Sequence, residues 1–280
     1  EGYRAVASYD RENWFRIDTD YESGELILQH RPEFDTVYYA YFAPFSMERH
    51  LDLIARAGQS PRVSHSVIGR TVEGQDMDLL TIGEARSNKR NFWLVARQHP
   101  GETMAEWWME GFLNRLLDPD DAISNALLDR AIFHVVPNMN PDGAVRGNHR
   151  TNSRGANLNR CWQSADPEVS PEVFYVRQAM QRRGVDLFFD IHGDEAIPYN
   201  FMMVGGDNKR LLDEAALGNA AKTRFAATLE KAGALAERVV HPRSRPGRVP
   251  ARGCRQPARA AVVERASLAP LRRQARARER

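Results

Sequence analysis

The chain has 280 residues, a formal net charge of +2 and 42% hydrophobic residues, which is sufficient for one large domain or two smaller ones with a buried core. Its two cysteines, Cys161 and Cys254, exclude a disulfide framework and favour a reducing compartment. No apolar run reaches the roughly 18 residues of a transmembrane helix and no signal peptide is visible, so we expect a cytoplasmic protein.

The charge is unevenly distributed along the chain. Residues 241–280 contain 12 Arg, two Glu and five Pro, with neither Lys nor aromatic residues, whereas residues 1–240 carry a net charge of −8. A segment of this composition cannot bury enough apolar surface to fold. One interpretation is a basic arm that binds nucleic acid or an anionic surface. The other is the product of a reading-frame change. Its richness in Arg, Ala, Pro and Gly favours the second interpretation.

The first 43 residues alternate in the manner of β-strands. Candidate strands at 13–17, 25–29 and 36–42 are separated by turn-forming residues such as Ser23-Gly24. The chain starts with Glu1 rather than Met. We therefore interpret residues 1–43 as the remnant of an N-terminal β-domain whose beginning is absent.

After residue 43 the pattern changes from short strands to helices and strands in alternation. Ser46 is a plausible N-cap for a helix from Met47 to Ala57, and residues 69–74 look like a hairpin turn between two strands, 65–68 and 77–82. A short apolar run at 91–96 has the length and composition of a buried strand. After it, apolar residues recur at helical spacing from Met104 to Leu117.

The second half of the chain repeats the strand-to-helix order. An apolar strand at 131–136 runs into a turn-rich loop, Asn-Pro-Asp-Gly, at 140–143. A polar segment at 146–160 precedes a helix opened by Pro171 and a buried strand at 185–191. This alternation predicts an α/β fold with a mostly parallel, mixed sheet covered by helices on both faces.

A possible metal site lies where two of these strands end. His99 and Glu102 sit three positions apart between the strand at 91–96 and the helix that follows, at the edge of the sheet where ligands bind in open α/β folds. His192 follows the strand at 185–191. Two His and one Glu form the ligand set of a catalytic zinc site, with a fourth position left for water. A carboxylate that orients His192 is expected nearby.

An Arg- and Asn-rich loop provides a second group of candidate residues. Arg150 ends the segment Gly-Asn-His-Arg, and Asn159-Arg160 ends the segment Asn-Leu-Asn-Arg. The planar guanidinium group binds both oxygens of a carboxylate, so these residues suit an anionic group of a substrate.

Several separated motifs together resemble one family. His99-Pro100-Gly101-Glu102, Asn140-Pro141-Asp142-Gly143, Asn159-Arg160 and His192 resemble the zinc metallocarboxypeptidases of the carboxypeptidase A type. The motifs at 41–46, 69–74, 147–150 and 190–194 are similar to the cytosolic carboxypeptidase branch, in which a small β-sandwich precedes the peptidase domain. The resemblance covers roughly residues 35–205.

The resemblance implies a function and a role for each matching residue. Residues 44–240 would form an incomplete zinc carboxypeptidase domain in which His99, Glu102 and His192 hold one zinc ion. Arg150 would stabilise the oxyanion. Asn159 and Arg160 would bind the C-terminal carboxylate of a peptide or protein substrate. No membrane partner is expected, and no nucleic acid outside the basic tail.

One part of the family pattern is missing from the sequence. The family requires a second glutamate, the general base, well downstream of the last zinc-binding histidine. Glu230 lies too close to His192 within a helical pattern, and Glu264 lies in low-complexity sequence, so neither is favoured. We therefore expect a chain truncated at both ends that is inactive or weakly active.

Two alternative functions remain open at this point. A zinc deacylase similar to the aspartoacylases would use the same metal ligands, although the N-terminal motifs and the Asn-Pro-Asp-Gly turn disfavour it. A non-catalytic zinc- or peptide-binding module would explain the absence of a convincing general base.

Overall fold

The computed structural model describes residues 2–86 and 88–195. Predictions for later residues lie outside this part of the chain: the helical pattern around Glu230, the candidate base Glu264 and the basic tail at 241–280. Within the described residues, two small N-terminal sheets precede one five-stranded sheet with helices.

The N-terminal sheets contain five short strands: β1 (Val6–Ser8), β2 (Phe15–Arg16), β3 (Asp18–Glu22), β4 (Glu25–Gln29) and β5 (Tyr38–Ala40). Strand β1 lies between β2 and β5 in an antiparallel sheet, and β3 pairs with β4 as a hairpin. The strand predicted at 25–29 has the predicted limits, whereas those at 13–17 and 36–42 are shorter. Strands β1 and β3 were not predicted, because β1 has only three residues and β3 is polar and largely exposed.

The larger unit begins with a capped helix and contains five further strands. Ser46 accepts a hydrogen bond from the backbone N–H of Arg49, as an N-cap should. The elements are α1 (Met47–Gly58), β6 (Val63–Arg70), β7 (Asp76–Ile82), β8 (Arg90–Ala96), α2 (Met104–Leu116), α3 (Ala122–Leu128), β9 (Ala131–Val136), α4 (Pro141–Arg146), a 3₁₀ turn (Leu158–Arg160), α5 (Pro171–Arg183) and β10 (Leu187–Ile191).

Two of these helices are absent from the sequence prediction. The Asn-Pro-Asp-Gly stretch, predicted as a loop, instead opens α4, because the Asn140 side chain caps Gly143 N–H and Pro141 occupies the first helical turn. Helix α3 is capped by Asp121 and has only seven residues, which is too few for a clear hydrophobic period.

The five-stranded sheet is mixed, as predicted, and has the order β10-β8-β9-β7-β6. Strand β8 is parallel to both β9 and β10, whereas β7 is antiparallel to β9 and to β6. Parallel pairing is therefore less dominant than the strand–helix alternation indicates, because the β6–β7 hairpin enters the sheet antiparallel.

Helices cover both faces of the sheet, which confirms the predicted layers. Leu94 and Ala96 of β8 pack on one side with α1 and α2, while Trp93 and Val95 pack on the other with α5. Successive side chains of a strand point to opposite faces, so a continuous apolar run is the sequence signature of such a doubly covered strand. None of the described helices is long and apolar enough to cross a membrane.

Candidate metal centre

The carboxyl ends of two neighbouring strands bring the predicted ligands together. Strand β8 ends at Ala96 and the turn that follows carries His99 and Glu102. In the parallel register Ile191 of β10 lies opposite Ala96, and the backbone N–H of Arg97 contacts the Ile191 carbonyl at 3.4 Å. His192 is the next residue and therefore lies beside the turn.

The three side chains form one compact cluster around the Glu102 carboxylate. Nδ1 of His99 lies 2.7 Å from Oε1 of Glu102, and Nδ1 of His192 lies 2.8 Å from Oε2. The backbone N–H of Gly193 also donates to Oε2, at 3.1 Å. One donor atom from each of the three side chains lies within 4.8 Å of the others.

The second nitrogen of each imidazole has its own partner. Nε2 of His99 lies 3.1 Å from Oδ1 of Asn157, and Nε2 of His192 lies 2.8 Å from Oδ2 of Asp190. Metal-binding histidines normally donate this outer N–H to an oxygen, which fixes the ring and the tautomer. Both Nδ1 atoms thus lie next to the carboxylate, while the outer nitrogen of each ring is held by a hydrogen bond. This arrangement fits a zinc ion.

The charges of the cluster also favour a cation. Burial opposes ionisation of Glu102, but hydrogen bonds from His192 and His99 outweigh it and lower the pKa of Glu102 to about 2. Burial likewise opposes the charged form of His192, but hydrogen bonds to Asp190 and Glu102 raise the pKa of His192 to about 10. The negative field that stabilises an imidazolium here would also attract a divalent metal ion.

The predicted substrate-binding residues lie at different distances from this cluster. Nη1 of Arg150 lies 3.6 Å from Oε1 of Glu102, with its side chain partly exposed. The amide nitrogen of Asn159 lies 3.2 Å from Nε2 of His192. Arg160 is exposed, and its Nη1 donates to the carbonyl oxygen of Asn159 at 3.3 Å. Arg150 and Asn159 thus touch the cluster, while Arg160 points to solvent beside it.

The Asn-Pro-Asp-Gly motif forms hydrogen bonds with the segments around the site. Asn140 donates from its side chain to the carbonyl oxygen of Gln98 at 3.0 Å. Asp142 is buried and accepts hydrogen bonds from Thr71 of the β6–β7 hairpin at 2.6 Å and from Ser153 of the Arg-rich loop at 3.1 Å. The motif therefore ties the ligand turn, the hairpin and the Arg-rich loop to one another.

Close backbone packing joins the ligand turn to the same loop. The backbone N–H of Gly101 donates to the carbonyl oxygen of His149 at 3.0 Å, and a Cβ at Gly101 would approach that oxygen to 2.8 Å. A side chain there would force the loop carrying Arg150 away from the turn. The glycine is required by this close approach.

Sequence reasoning missed two residues at the site, Asn157 and Gln98. Asn157 was noted only as part of the Asn-Leu-Asn-Arg segment. Gln98 accepts a hydrogen bond from the indole N–H of Trp162 at 2.8 Å and donates to Asp190, so it links the two ligand-bearing segments. Asp190 takes the place of the carboxylate that was expected near His192. For Gln98 the available signal was its position directly before His99, whereas Asn157 lies 58 residues from the histidine that it contacts.

Comparison with known proteins identifies two family models along the chain. The model described as zinc carboxypeptidase matches residues 47–237, which is more than half of the chain. The model described as cytosolic carboxypeptidase N-terminal domain matches residues 1–42.

Individual relatives and solved structures agree with these matches. Protein ZMO1242 of Zymomonas mobilis is 53% identical over 200 residues, covering 71% of this chain and 52% of that protein. Human cytosolic carboxypeptidase 1 is 31% identical over 180 residues, covering 57% of this chain and 15% of that protein. A Pseudomonas aeruginosa metallo-carboxypeptidase, solved in complex with (2-guanidinoethylmercapto)succinic acid, is 50% identical, with a TM-score of 0.68 and coverage of 71% and 53%.

The chain therefore spans about half the length of its bacterial relatives and a smaller share of the human protein. The N-terminal strands and the mixed sheet up to His192 belong to the matched portion.

Proposed function

From the premise that this chain belongs to the zinc carboxypeptidase family, we propose that it takes part in zinc-dependent removal of C-terminal residues from peptides or proteins. The observation that carries the proposal is the convergence of one donor atom each from His99, Glu102 and His192 within 4.8 Å of one another. Its similarity to human cytosolic carboxypeptidase 1 supports a cytosolic location, which we propose for this chain as well.

The zinc ligands in this proposal are His99, Glu102 and His192. A zinc ion bound there would polarise the scissile carbonyl and lower the pKa of a bound water to about 7. Asn157 and Asp190 hold the two imidazole rings from their outer nitrogens. The chain thus supplies a preorganised set of ligands rather than one assembled on binding.

The proposed substrate contacts follow the positions of the polar loop residues. Arg150 would donate to a developing oxyanion, and its position 3.6 Å from the Glu102 carboxylate supports this role. Asn159 and Arg160 are proposed to bind the terminal carboxylate of the substrate, since both carry donors on the exposed side of the cluster. Among the residues that the structure describes, we assign no general base. The glutamates considered for that role, Glu230 and Glu264, lie outside them.

The domain organisation is part of the same proposal. We assign residues 1–43 to an N-terminal β-domain and residues 44–240 to the peptidase domain, limits close to those of the two family models. Residues 241–280 would then be a separate basic segment. Membership in the zinc carboxypeptidase family disfavours the deacylase alternative.

Metal binding by the full chain tests the proposal. We expect about one zinc ion per chain, and its loss in His99→Ala and in His192→Ala, because each substitution removes one of three ligands. His134→Ala serves as the control, since that buried histidine contacts Thr81 and Asn91 away from the site. Undiminished zinc in both ligand variants would refute the assignment.

Discrimination between peptide ends tests the substrate part. A peptide with a free C-terminus should bind the zinc-loaded chain more tightly than the same peptide with a C-terminal amide, by ~1.5–3 kcal/mol, the range for hydrogen bonds to charged groups. Arg160→Ala should reduce this difference, whereas Arg154→Ala, on the same loop, should retain it. Equal binding of the acid and the amide by the unaltered chain would contradict a carboxypeptidase.

A further inference from the structure

A second ionic cluster lies directly beneath the ligand turn. Arg97, two positions before His99, is buried and has a φ of 56°. This left-handed conformation is uncommon for a residue with a side chain and costs on the order of 1–3 kcal/mol. It persists only where surrounding contacts hold the residue in place.

Three hydrogen bonds hold Arg97 in this conformation. Its Nε donates to the carbonyl oxygen of Pro100 at 3.0 Å, inside the ligand turn itself. Its Nη1 donates to the carbonyl oxygen of Phe45 at 2.8 Å and to Oε2 of Glu106 at 2.5 Å. The guanidinium group therefore connects the turn, the segment before α1 and helix α2.

The Glu106 carboxylate, which pairs with Arg97, also has other hydrogen-bond partners. Glu106 has no exposed surface, and besides Arg97 it contacts Nδ1 of His50 at 2.6 Å and the side-chain amide of Asn138 at 3.2 Å. Burial opposes the charged form of His50, but hydrogen bonds to Asp78 and Glu106 raise the pKa of His50 to about 9. The carboxylate of Glu106 is thus buried between two cations, and its position is fixed.

Glu102 and Glu106 belong to the same stretch of chain but contact different partners. Glu102 presents its carboxylate to the two candidate ligand histidines, while Glu106, four residues later in the first turn of α2, presents its carboxylate to Arg97. The contact of Arg97 with both Pro100 and Glu106 therefore sets the angle between the turn and the first turn of α2.

We propose that Arg97, held by Glu106, is a positioning residue that sets the approach of His99 and Glu102 to the metal ion. The proposal rests on the metal site put forward above. The left-handed residue reverses the chain at the end of β8, and its bond to Pro100 fixes the middle of the turn. The backbone N–H of Glu102 then donates to the carbonyl oxygen of His99 at 3.0 Å, which closes the turn with both ligands on one side.

A neighbouring ion pair supplies a matched control. Glu110 lies one further turn along α2 and pairs with Arg49 and Arg56 of α1. It joins the same two helices without a contact to the ligand turn. Loss of this pair should affect stability only, whereas loss of the Arg97–Glu106 pair should also affect the metal.

Zinc affinity of the full chain, measured by competition with a chromophoric chelator, tests the role of Arg97. Arg97→Met should weaken zinc binding by roughly 10–100-fold, the usual consequence of removing a group that orients a metal ligand. Arg97→Lys should restore part of the affinity, since an ammonium can pair with Glu106 but cannot reproduce the planar fork. Glu110→Gln should bind zinc as the unaltered chain does.

A double variant separates positioning from stability. Arg97→Met alone leaves a buried carboxylate without its main partner, which is strongly destabilising. Arg97→Met combined with Glu106→Gln removes that charge, so the free energy of unfolding should recover in part while zinc affinity stays low. The visible absorption of Co²⁺ bound in place of zinc should differ from that of the unaltered chain in the double variant and remain unchanged in Glu110→Gln.

The outcomes are distinguishable from failure of the metal site itself. The positioning role would be overturned if the double variant recovered zinc affinity together with stability. It would also be overturned if Arg97→Lys and Arg97→Met both folded and bound zinc as tightly as the unaltered chain. In either case His99→Ala would still lose zinc. If His99→Ala retained zinc, the metal assignment rather than the role of Arg97 would be wrong.

Discussion

The two halves of the candidate metal centre are supported differently. The turn with His99 and Glu102 follows β8, which lies between β9 and β10, whereas His192 follows β10, which among the described strands pairs with β8 alone. The last four residues of β8 are buried, while every residue of β10 is only half-buried. Within the described residues, one half of the site follows a strand paired on both sides, and the other follows a strand paired on one side.

The contacts behind each ligand repeat this difference. His99 is buried and its outer nitrogen faces a neutral amide, Asn157, whereas His192 is partly exposed and its outer nitrogen faces a carboxylate, Asp190. A central position is fixed by packing, so a neutral partner suffices there. A ligand at a less enclosed position is held by a stronger, charged hydrogen bond.

The largest expected effect concerns packing in the two strands. Leu94→Ala, in β8, should lower the free energy of unfolding by about 2–5 kcal/mol, because it leaves a cavity in a closed core. Ile191→Ala, in β10, should cost clearly less, since its side chain is only half-buried. Urea unfolding of the metal-free chain measures both. Equal costs would show that β10 is as well enclosed as β8.

The next effect is a pH dependence that separates the contributions of two buried groups, Glu172 and His50. Glu172 of α5, below the loop that carries Asn157, is buried, and burial raises its pKa to about 7, partly offset by a hydrogen bond from Asn152. A raised pKa contributes stability that is present below the unfolded-state value and lost as the pH rises through the folded one. Stability should therefore fall between about pH 4.5 and 7.

Substitution of Glu172 isolates this contribution. A rise in pKa from 4.5 to about 7 corresponds to roughly 3 kcal/mol, so Glu172→Gln should be the more stable protein at pH 8 and differ little at pH 4.5. His50, which contacts Glu106 beneath the ligand turn, should still lose stability between pH 6.5 and about 9 in the same variant. Thermal unfolding across the pH range measures this, and parallel curves for the two proteins would contradict the role of Glu172.

The smallest expected effect concerns the outer partners of the two ligands. Asp190→Asn should weaken zinc binding by about 10–100-fold, equivalent to about 1.4–2.8 kcal/mol, because it removes the charge behind His192. Asn157→Ala should weaken it by less, since His99 remains enclosed by its neighbours. Chelator competition measures both affinities. A larger loss in Asn157→Ala would reverse the comparison.

The structure brings the three predicted ligand residues together, whereas their supports were predicted only in part. His99 and Glu102 are three positions apart at a strand end, and His192 follows another apolar strand, so local pattern and chain order place all three. Asp190 is the carboxylate expected beside His192 and lies two positions before it, whereas the contact of Asn157 with His99 depends on how distant segments pack. The partnership of Arg97 with Glu106 was hidden for the same reason, because neither the left-handed φ of Arg97 nor its bond to Phe45 has a local signal.

The fold itself shows the same division. Strands β8, β9 and β10 are largely continuous apolar runs, α1 begins at a clear N-cap, α2 repeats apolar residues at helical spacing and α5 begins at Pro171, and each lies where it was predicted. Strand β3, by contrast, reads Asp-Thr-Asp-Tyr-Glu and is paired only because a turn at Ser23 and Gly24, both with positive φ, returns the chain onto β4. Backbone pairing of this kind leaves no apolar pattern to detect.

The separation of the ligands along the chain has a consequence for synthesis. His192 is 90 residues after Glu102, and at ~5–20 residues per second on the ribosome it emerges several seconds after the turn. During that interval β8 can form but its β10 edge is open, and the proposed site has only two of its three ligands. With this assignment, tight metal binding would await one of the last long-range pairings of the described fold, and a ribosome-bound fragment ending before β10 should not retain the ion.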